Sequence, residues 1–262
     1  MDTPVGILDS GSGGLSIWKE IISILPNEST LYISDHKHMP YSEKSTSYIQ
    51  NRVITLINFL LKKHVKVIVI ACNTATVAGI DVYRKKFPQI PIIGVVPVIK
   101  TAALESRTRH IAVLSTQYTA TSAYQDELIH KFAPHCIVEK IGSTSLVSLI
   151  EKGDLAGTEI TKELVNLLDK IKADDTDILV LGCTHYPFVR NQIHAIVGKE
   201  VRILDSGGAV ARQTKRIIEK EALRSISNKP SFDFYTTGNS KSVSVVASKL
   251  LVETIKFHHV RL

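Results

Sequence analysis

Cysteine is scarce in this chain: three residues in 262. An odd and small count rules out a disulfide scaffold and makes a reducing cytoplasm the default compartment. No CxxC spacing exists, and Cys183-x-His185 has no second CxxC or HxxxH group to complete it. A dithiol redox pair and a zinc finger are both poor fits, and no metal is expected. No apolar run approaches the roughly 18 residues that cross a bilayer. The start, Met1-Asp2-Thr3-Pro4, also lacks the basic residues of a secretion signal. Aromatics are sparse, and no stripe of bases interleaves with them as a single-strand groove would require. The formal charge of +7 could attract nucleic acid or draw in a small anion. Its contributors are scattered, however: Lys62-Lys63, Arg84-Lys85-Lys86 and Lys215-Arg216 all fall on apparent helix faces. They read as a solvated surface, so neither nucleic acid nor membrane is an expected partner.

What remains is ordinary for a globular α/β chain, 44% hydrophobic and 22% charged, long enough for one large domain or two smaller ones. Apolar, β-branched runs alternate with helical patterns. Strands are expected at 5–8, 30–34, 67–71, 92–95, 110–114, 136–140, 178–181, 201–204 and 232–235. Helices are expected near 15–24, 45–63, 74–87, 120–132, 158–171, 186–197, 209–223 and 242–257. That rhythm predicts α/β architecture, mostly parallel sheets with helices on both faces. Ser225–Pro230 is the clearest linker-like stretch.

Two segments echo one another: Val67–Thr74 is VIVIACNT and Ile178–His185 is ILVLGCTH. Each puts a cysteine just past a strand, where open α/β sheets place their ligands. A second echo pairs Ile7–Gly11 (ILDSG) with Ile203–Gly207 (ILDSG). Together they predict two similar α/β lobes facing one another; chance likeness of parallel strand ends is the alternative. Cys136, in an apolar stretch, fits a small buried hydrophobe. Cys72 and Cys183 have polar neighbours, Asn73 and Thr74 in one case, Thr184 and His185 in the other. Helices starting just after them would offer N–H groups that favour thiolate and hold carboxylates.

Asp9-Ser10-Gly11-Ser12-Gly13-Gly14 follows the first strand. Its glycines permit a tight turn, but the third position of a dinucleotide fingerprint holds Ser16 and no P-loop lysine is present. A carboxylate such as Asp9 beside a thiol can accept its proton or orient a substrate ammonium group. Asp35 and Tyr41-Ser42 form another strand-end loop, and Glu151 and His185 complete the titratable candidates. The other nine histidines lack a local motif and read as surface or structural. Two thiols suit the inversion of an amino-acid α-carbon, because one base cannot easily reach both faces. A binding module without catalysis is the rival from another class.

Several motifs in order, DSGSGG at 9–14, PYSEKS at 40–45, ACNTA at 71–75, GVVP at 94–97, the 120–124 region, GCTHYP at 182–187 and DSG at 205–207, carry a resemblance. On them the chain resembles the bacterial glutamate racemases of the cofactor-independent aspartate/glutamate racemase superfamily, from Val5 to about Phe257. The resemblance implies two α/β lobes related by pseudo-two-fold symmetry, residues 1–96 plus 208–262 and residues 97–207, with the site between them. It implies interconversion of L- and D-glutamate for peptidoglycan, in the cytoplasm and with no cofactor. Cys72 would take the proton from D-glutamate and Cys183 from L-glutamate, aided by Asp9, His185, Asp35 and Glu151. Substrate contacts would come from Asp9, Ser10, Tyr41, Ser42, Asn73, Thr74, Thr184 and His185. Aspartate enzymes of the superfamily tend to carry an acid where His185 stands, so CTHYP favours glutamate. Homodimers are common in the family, so a homodimer is an assembly the resemblance allows. With eight residues before Asp9, little room is expected for a regulatory N-terminal extension. The chain departs at Ser42, where relatives commonly have glycine; serine would be strained there if φ were positive.

Overall fold

The computed structural model describes residues 3–172, 175–225 and 229–262. Residues 226–228 of the linker-like stretch, and Met1 and Asp2, lie outside the described residues. The chain folds as two compact units, Met1–Val95 with Gly207–Leu262, and Val96–Ser206.

The first unit begins β1 (Val5–Asp9), α1 (Leu15–Ile24), β2 (Thr30–Ser34), α2 (Thr46–Lys62), β3 (Val67–Ile70), α3 (Asn73–Lys86), β4 (Ile92–Gly94). The second unit holds α4 (Ile99–Glu105), β5 (His110–Thr116), α5 (Gln117–Ala120), α6 (Ala123–Phe132), β6 (Ile137–Ser143), α7 (Leu146–Ile150), α8 (Thr158–Leu168), β7 (Ile178–Gly182), α9 (Arg190–Val197) and β8 (Arg202–Leu204). The chain then returns to the first unit with α10 (Gly207–Lys220), β9 (Phe232–Thr236), α11 (Ser240–Leu251) and β10 (Phe257–His259).

The first sheet runs β10-β9-β2-β1-β3-β4 and the second β6-β5-β7-β8, with every neighbouring pair parallel. β1, β2, β3 and β7 are buried at every residue, as strands covered on both faces are, and β3 (VIVI) and β7 (ILVLG) accordingly read as apolar runs. α2 is started by Ser45, whose hydroxyl accepts the Tyr48 N–H, and buries Ile49, Val53, Leu56, Ile57 and Leu60 at three- and four-residue spacing. α1 packs on α10, and α2 on α3. The β1-to-β2 and β2-to-β3 crossovers run in opposite directions across the sheet, so right-handed connections put these helix pairs on opposite faces. Trp18 lies in the core, its indole N–H donating to Thr30 Oγ1 at 2.9 Å.

The two sheets share a plan. In each unit the first strand lies between the second and third, and the fourth follows: β2-β1-β3-β4 and β6-β5-β7-β8. Cys72 and Cys183 both come after the third strand, so the cysteine echo coincides with the topology. The ILDSG echo does not. Asp9 ends a first strand, whereas Asp205 follows a fourth and is ion-paired with Arg190. By strand register the topological counterpart of Asp9 is Ser115, and that of Ser10 is Thr116 at the end of β5.

Three further expectations are corrected. The helix expected at 120–132 is two helices, because Thr116 caps α5 and Ser122 caps α6 through hydroxyls that accept the Thr119 and Gln125 N–H groups. The helix expected at 242–257 stops at Leu251, where Val252 turns left-handed at φ 55°. Ser248 and Ser244 then take the N–H groups of Ile255 and Phe257, bringing β10 onto β9. α4 and α7 were not expected at all; at seven and five residues they are too short to show a period.

Candidate active site

In a sheet ordered 2-1-3-4, chains leave the first and third strands in opposite directions, and a crevice opens at their C-terminal ends. In the first unit this is where β1 and β3 end. Asp9 is fully buried, and its Oδ1 accepts the Ser10 N–H at 2.5 Å and the Gly11 N–H at 3.4 Å. Ser10 Oγ stands 3.2 Å from Asp9 Oδ1 and 3.5 Å from Cys72 Sγ. The serine hydroxyl therefore links carboxylate to thiol. With Cys72 protonated it can accept S–H and donate to Asp9; with Cys72 ionised it can turn its hydrogen to sulfur.

Cys72 is the N-cap of α3, and its sulfur accepts the Ala75 N–H at 3.4 Å, a bond that supports negative charge on sulfur. Asn73 and Thr74 follow in the first turn, both buried. Asn73 Nδ2 is buried without a hydrogen-bond partner, and a buried donor of this kind suits a ligand acceptor. Beyond this turn α3 kinks at Gly79, and Gln50 Nε2 and Tyr83 Oη donate to the carbonyls of Ala78 and Ala75 at 2.7 and 3.2 Å.

Asp35 is also fully buried, one residue past β2. Arg52 Nε and Nη2 bind its two oxygens at 2.9 Å each, Tyr41 Oη donates to Oδ2 at 2.7 Å, and Thr237 Oγ1 to Oδ1 at 2.8 Å. Burial pushes the Asp35 carboxyl up, but the bonds from Arg52, then Tyr41 and Thr237, outweigh it and hold it below the usual carboxylate range. Burial and the Asp35 charge push the Tyr41 phenol well above its ordinary value, so it stays a donor. Ser42 lies half-buried on the 3-10 turn Tyr41–Glu43. Among the described residues, positive φ outside glycine occurs at His64, Arg109, Ala222 and Val252, so Ser42 is not strained in the way a glycine-to-serine change threatened.

In the second unit the equivalent strand ends are those of β5 and β7. Cys183 follows β7, and its sulfur lies 3.8 Å from His185 Nδ1. His185 Nε2 stands 2.7 Å from Glu151 Oε1, with both side chains more than nine-tenths buried. Burial alone would lower the His185 pKa; its hydrogen bonds to Cys183 and Glu151 prevail and raise it well above the ordinary histidine value. A protonated His185 donates to the carboxylate on one side and to the sulfur on the other. The helix expected from Tyr186 begins instead as a 3-10 turn, Tyr186–Val189, with Pro187 in its first positions, and α9 starts only at Arg190. The imidazole thus takes the part that the helix N-terminus plays for Cys72. Thr184 is buried beside it.

Several residues were missed from sequence. Arg52 and Thr237 secure Asp35 from 17 and 202 positions away, and no local pattern marks such partners. Thr116 and Thr119, buried with Thr119 N–H donating to Thr116 Oγ1, lie at the β5 strand end; setting the two strand orders side by side puts Thr116 where the first unit has Ser10. Among the described residues no three His, Cys, Asp or Glu side chains gather as a metal would require, and no helix is long and apolar enough to cross a membrane.

The chain as a whole is similar to known proteins. Residues 6–214 match the family model described as Asp/Glu/hydantoin racemase. A glutamate racemase of Ectopseudomonas mendocina is 38% identical over 255 residues, covering 97% of each chain. Among solved structures, a glutamate racemase isoform from Bacillus anthracis superposes with a TM-score of 0.92 at 30% identity, covering 99% of this chain and 98% of that one. The glutamate racemase of Francisella tularensis, solved with D-glutamate, gives 0.86 at 29% identity, covering 100% and 97%.

Proposed function

This chain belongs to the Asp/Glu/hydantoin racemase family, and from that premise we propose that it interconverts L- and D-glutamate by two-base proton transfer at Cα, with Cys72 and Cys183 as the bases. The observation that carries this reading is the paired placement of two buried thiols after the third strand of the same strand order, each beside its own proton-handling groups.

In the D-to-L direction the Cys72 thiolate removes the α-proton and becomes a thiol, while the Cys183 thiol delivers its own proton to the opposite face and becomes a thiolate. The reverse direction exchanges their roles, so protons balance in each turnover. The Ala75 N–H and the Ser10 hydroxyl stabilise charge on Cys72. Protonated His185, backed by Glu151, stabilises charge on Cys183. Asp9 fixes Ser10 and presents negative charge for a substrate ammonium group, and Asn73 Nδ2 offers a donor to a carboxylate. Thr74, Thr184, Tyr41 and Ser42 complete the substrate contacts. Asp35 acts by holding Tyr41. D-Glutamate made this way serves peptidoglycan synthesis in the cytoplasm.

The test is L-glutamate in D2O: deuterium should enter Cα as the D-isomer forms. Cys72→Ala and Cys183→Ala should each abolish two-way racemisation. Full activity in either variant would end the two-base mechanism.

A further inference from the structure

The turn carrying Asp9 and Ser10 is gripped by an imidazole away from the thiol. His36, one residue past Asp35, places Nε2 3.1 Å from Ser12 Oγ, and Nδ1 2.8 Å from Ser34 Oγ and 3.2 Å from Thr236 Oγ1. One ring thus joins the strand ends of β2 and β9 to the turn after β1. The hydroxyl of Ser34 donates to the Tyr235 carbonyl, so towards the ring Ser34 accepts and Nδ1 carries the hydrogen. In the neutral ring Nε2 then carries no hydrogen and accepts the hydroxyl of Ser12, which is fully buried.

The turn is held in part by its own bonds, Asp9 Oδ1 to the Ser10 and Gly11 N–H groups and the Ser12 and Gly13 carbonyls to the Leu15 and Ser16 N–H groups, but it is rich in glycine. Gly11, Gly13 and Gly14 make up half of 9–14, and glycine leaves the backbone broad freedom. Side-chain anchors from outside add to these: Tyr32 Oη holds the Gly11 carbonyl at 2.8 Å, and His36 holds Ser12. On the inner side of the same turn Ser10 Oγ meets Cys72 Sγ at 3.5 Å, a contact that a small shift would break. We propose that His36 is a positioning residue for the Cys72 half of the reaction, acting through Ser12. This rests on the two-thiol reading above. Loss of the anchor raises the barrier at Cys72 and leaves the Cys183 step as it was.

The experiment compares turnover and primary deuterium isotope effects on D-glutamate and L-glutamate labelled at Cα, which report proton removal by Cys72 and Cys183 respectively. Wild-type racemisation with both effects measurable, and its loss in Cys72→Ala and in Cys183→Ala, establishes the two-thiol reading first; failure at that stage is distinct from failure of the positioning role. His36→Asn keeps a donor near Ser34 but places nothing at Nε2. Turnover should fall about tenfold, on the scale of small misplacements in active sites. The isotope effect on D-glutamate should rise and that on L-glutamate should fall toward unity. Ser12→Ala, which deletes one hydroxyl and tests the same bond should His36→Asn fold poorly, should show the same split, and the double variant should be no worse. His36→Gln, which can return an acceptor to the Nε2 position, should recover most of the loss. Wild-type turnover in Ser12→Ala, or lost turnover with both isotope effects unchanged, overturns the proposal.

Discussion

Asp35→Asn separates a structural carboxylate from a chemical one. Asp35 is wholly buried and the Arg52 side chain only 13% exposed, so the substitution strips a guanidinium of its counter-charge with little water to replace it. Removing one partner of a buried pair costs about 3–5 kcal/mol. Because water reaches part of Arg52, about 3 kcal/mol is expected. The only tryptophan, Trp18, is buried in the same unit, so its fluorescence in a urea titration follows the unfolding of that unit. The pH dependence has a definite sign. The folded carboxyl is depressed below its ordinary value of 3.8, so the wild-type advantage is full above about pH 5 and fades as pH falls through the folded pKa. A double Asp35→Asn/Arg52→Met variant should regain part of the loss. If Asp35→Asn unfolds at the wild-type urea concentration yet cannot racemise, the carboxylate belongs to the chemistry and the anchoring role is wrong.

Glu151→Gln should destabilise the second unit most below about pH 6.5, the unfolded histidine value. The raised His185 pKa adds stability that is full below that point and is lost as pH rises through the folded pKa. Urea midpoints across pH check this, and a gap that ignores pH would speak against an ionised pair. Gly14→Ala meets a space limit and not a backbone one, since φ is −61°. The added Cβ would lie 2.7 Å from Asp9 Oδ2 and 2.9 Å from Tyr32 Oη. A loss of about 1–3 kcal/mol, with a marked fall in kcat, is expected; unchanged stability and turnover would show that the turn has room to yield.

The sequence alone determined those features whose physics is local. β1, β3 and β7 announce themselves because strands buried on both faces need continuous apolar runs, and both cysteines were placed beyond strand ends by the small and polar residues that follow those runs. The helix after Cys72 was likewise legible. Tertiary structure decided what depends on partners distant in the chain. Asp35 is bound on both oxygens only because Arg52 and Thr237 fold onto it, and α11 ends where it does because Ser244 and Ser248 take up the N–H groups of the next segment. Two identical pentapeptides, ILDSG, carry different duties because one closes a first strand and the other a fourth. A side chain's chemistry is written in its identity, but whether its charge is paired, buried or free to act is set by which strand ends the fold makes neighbours.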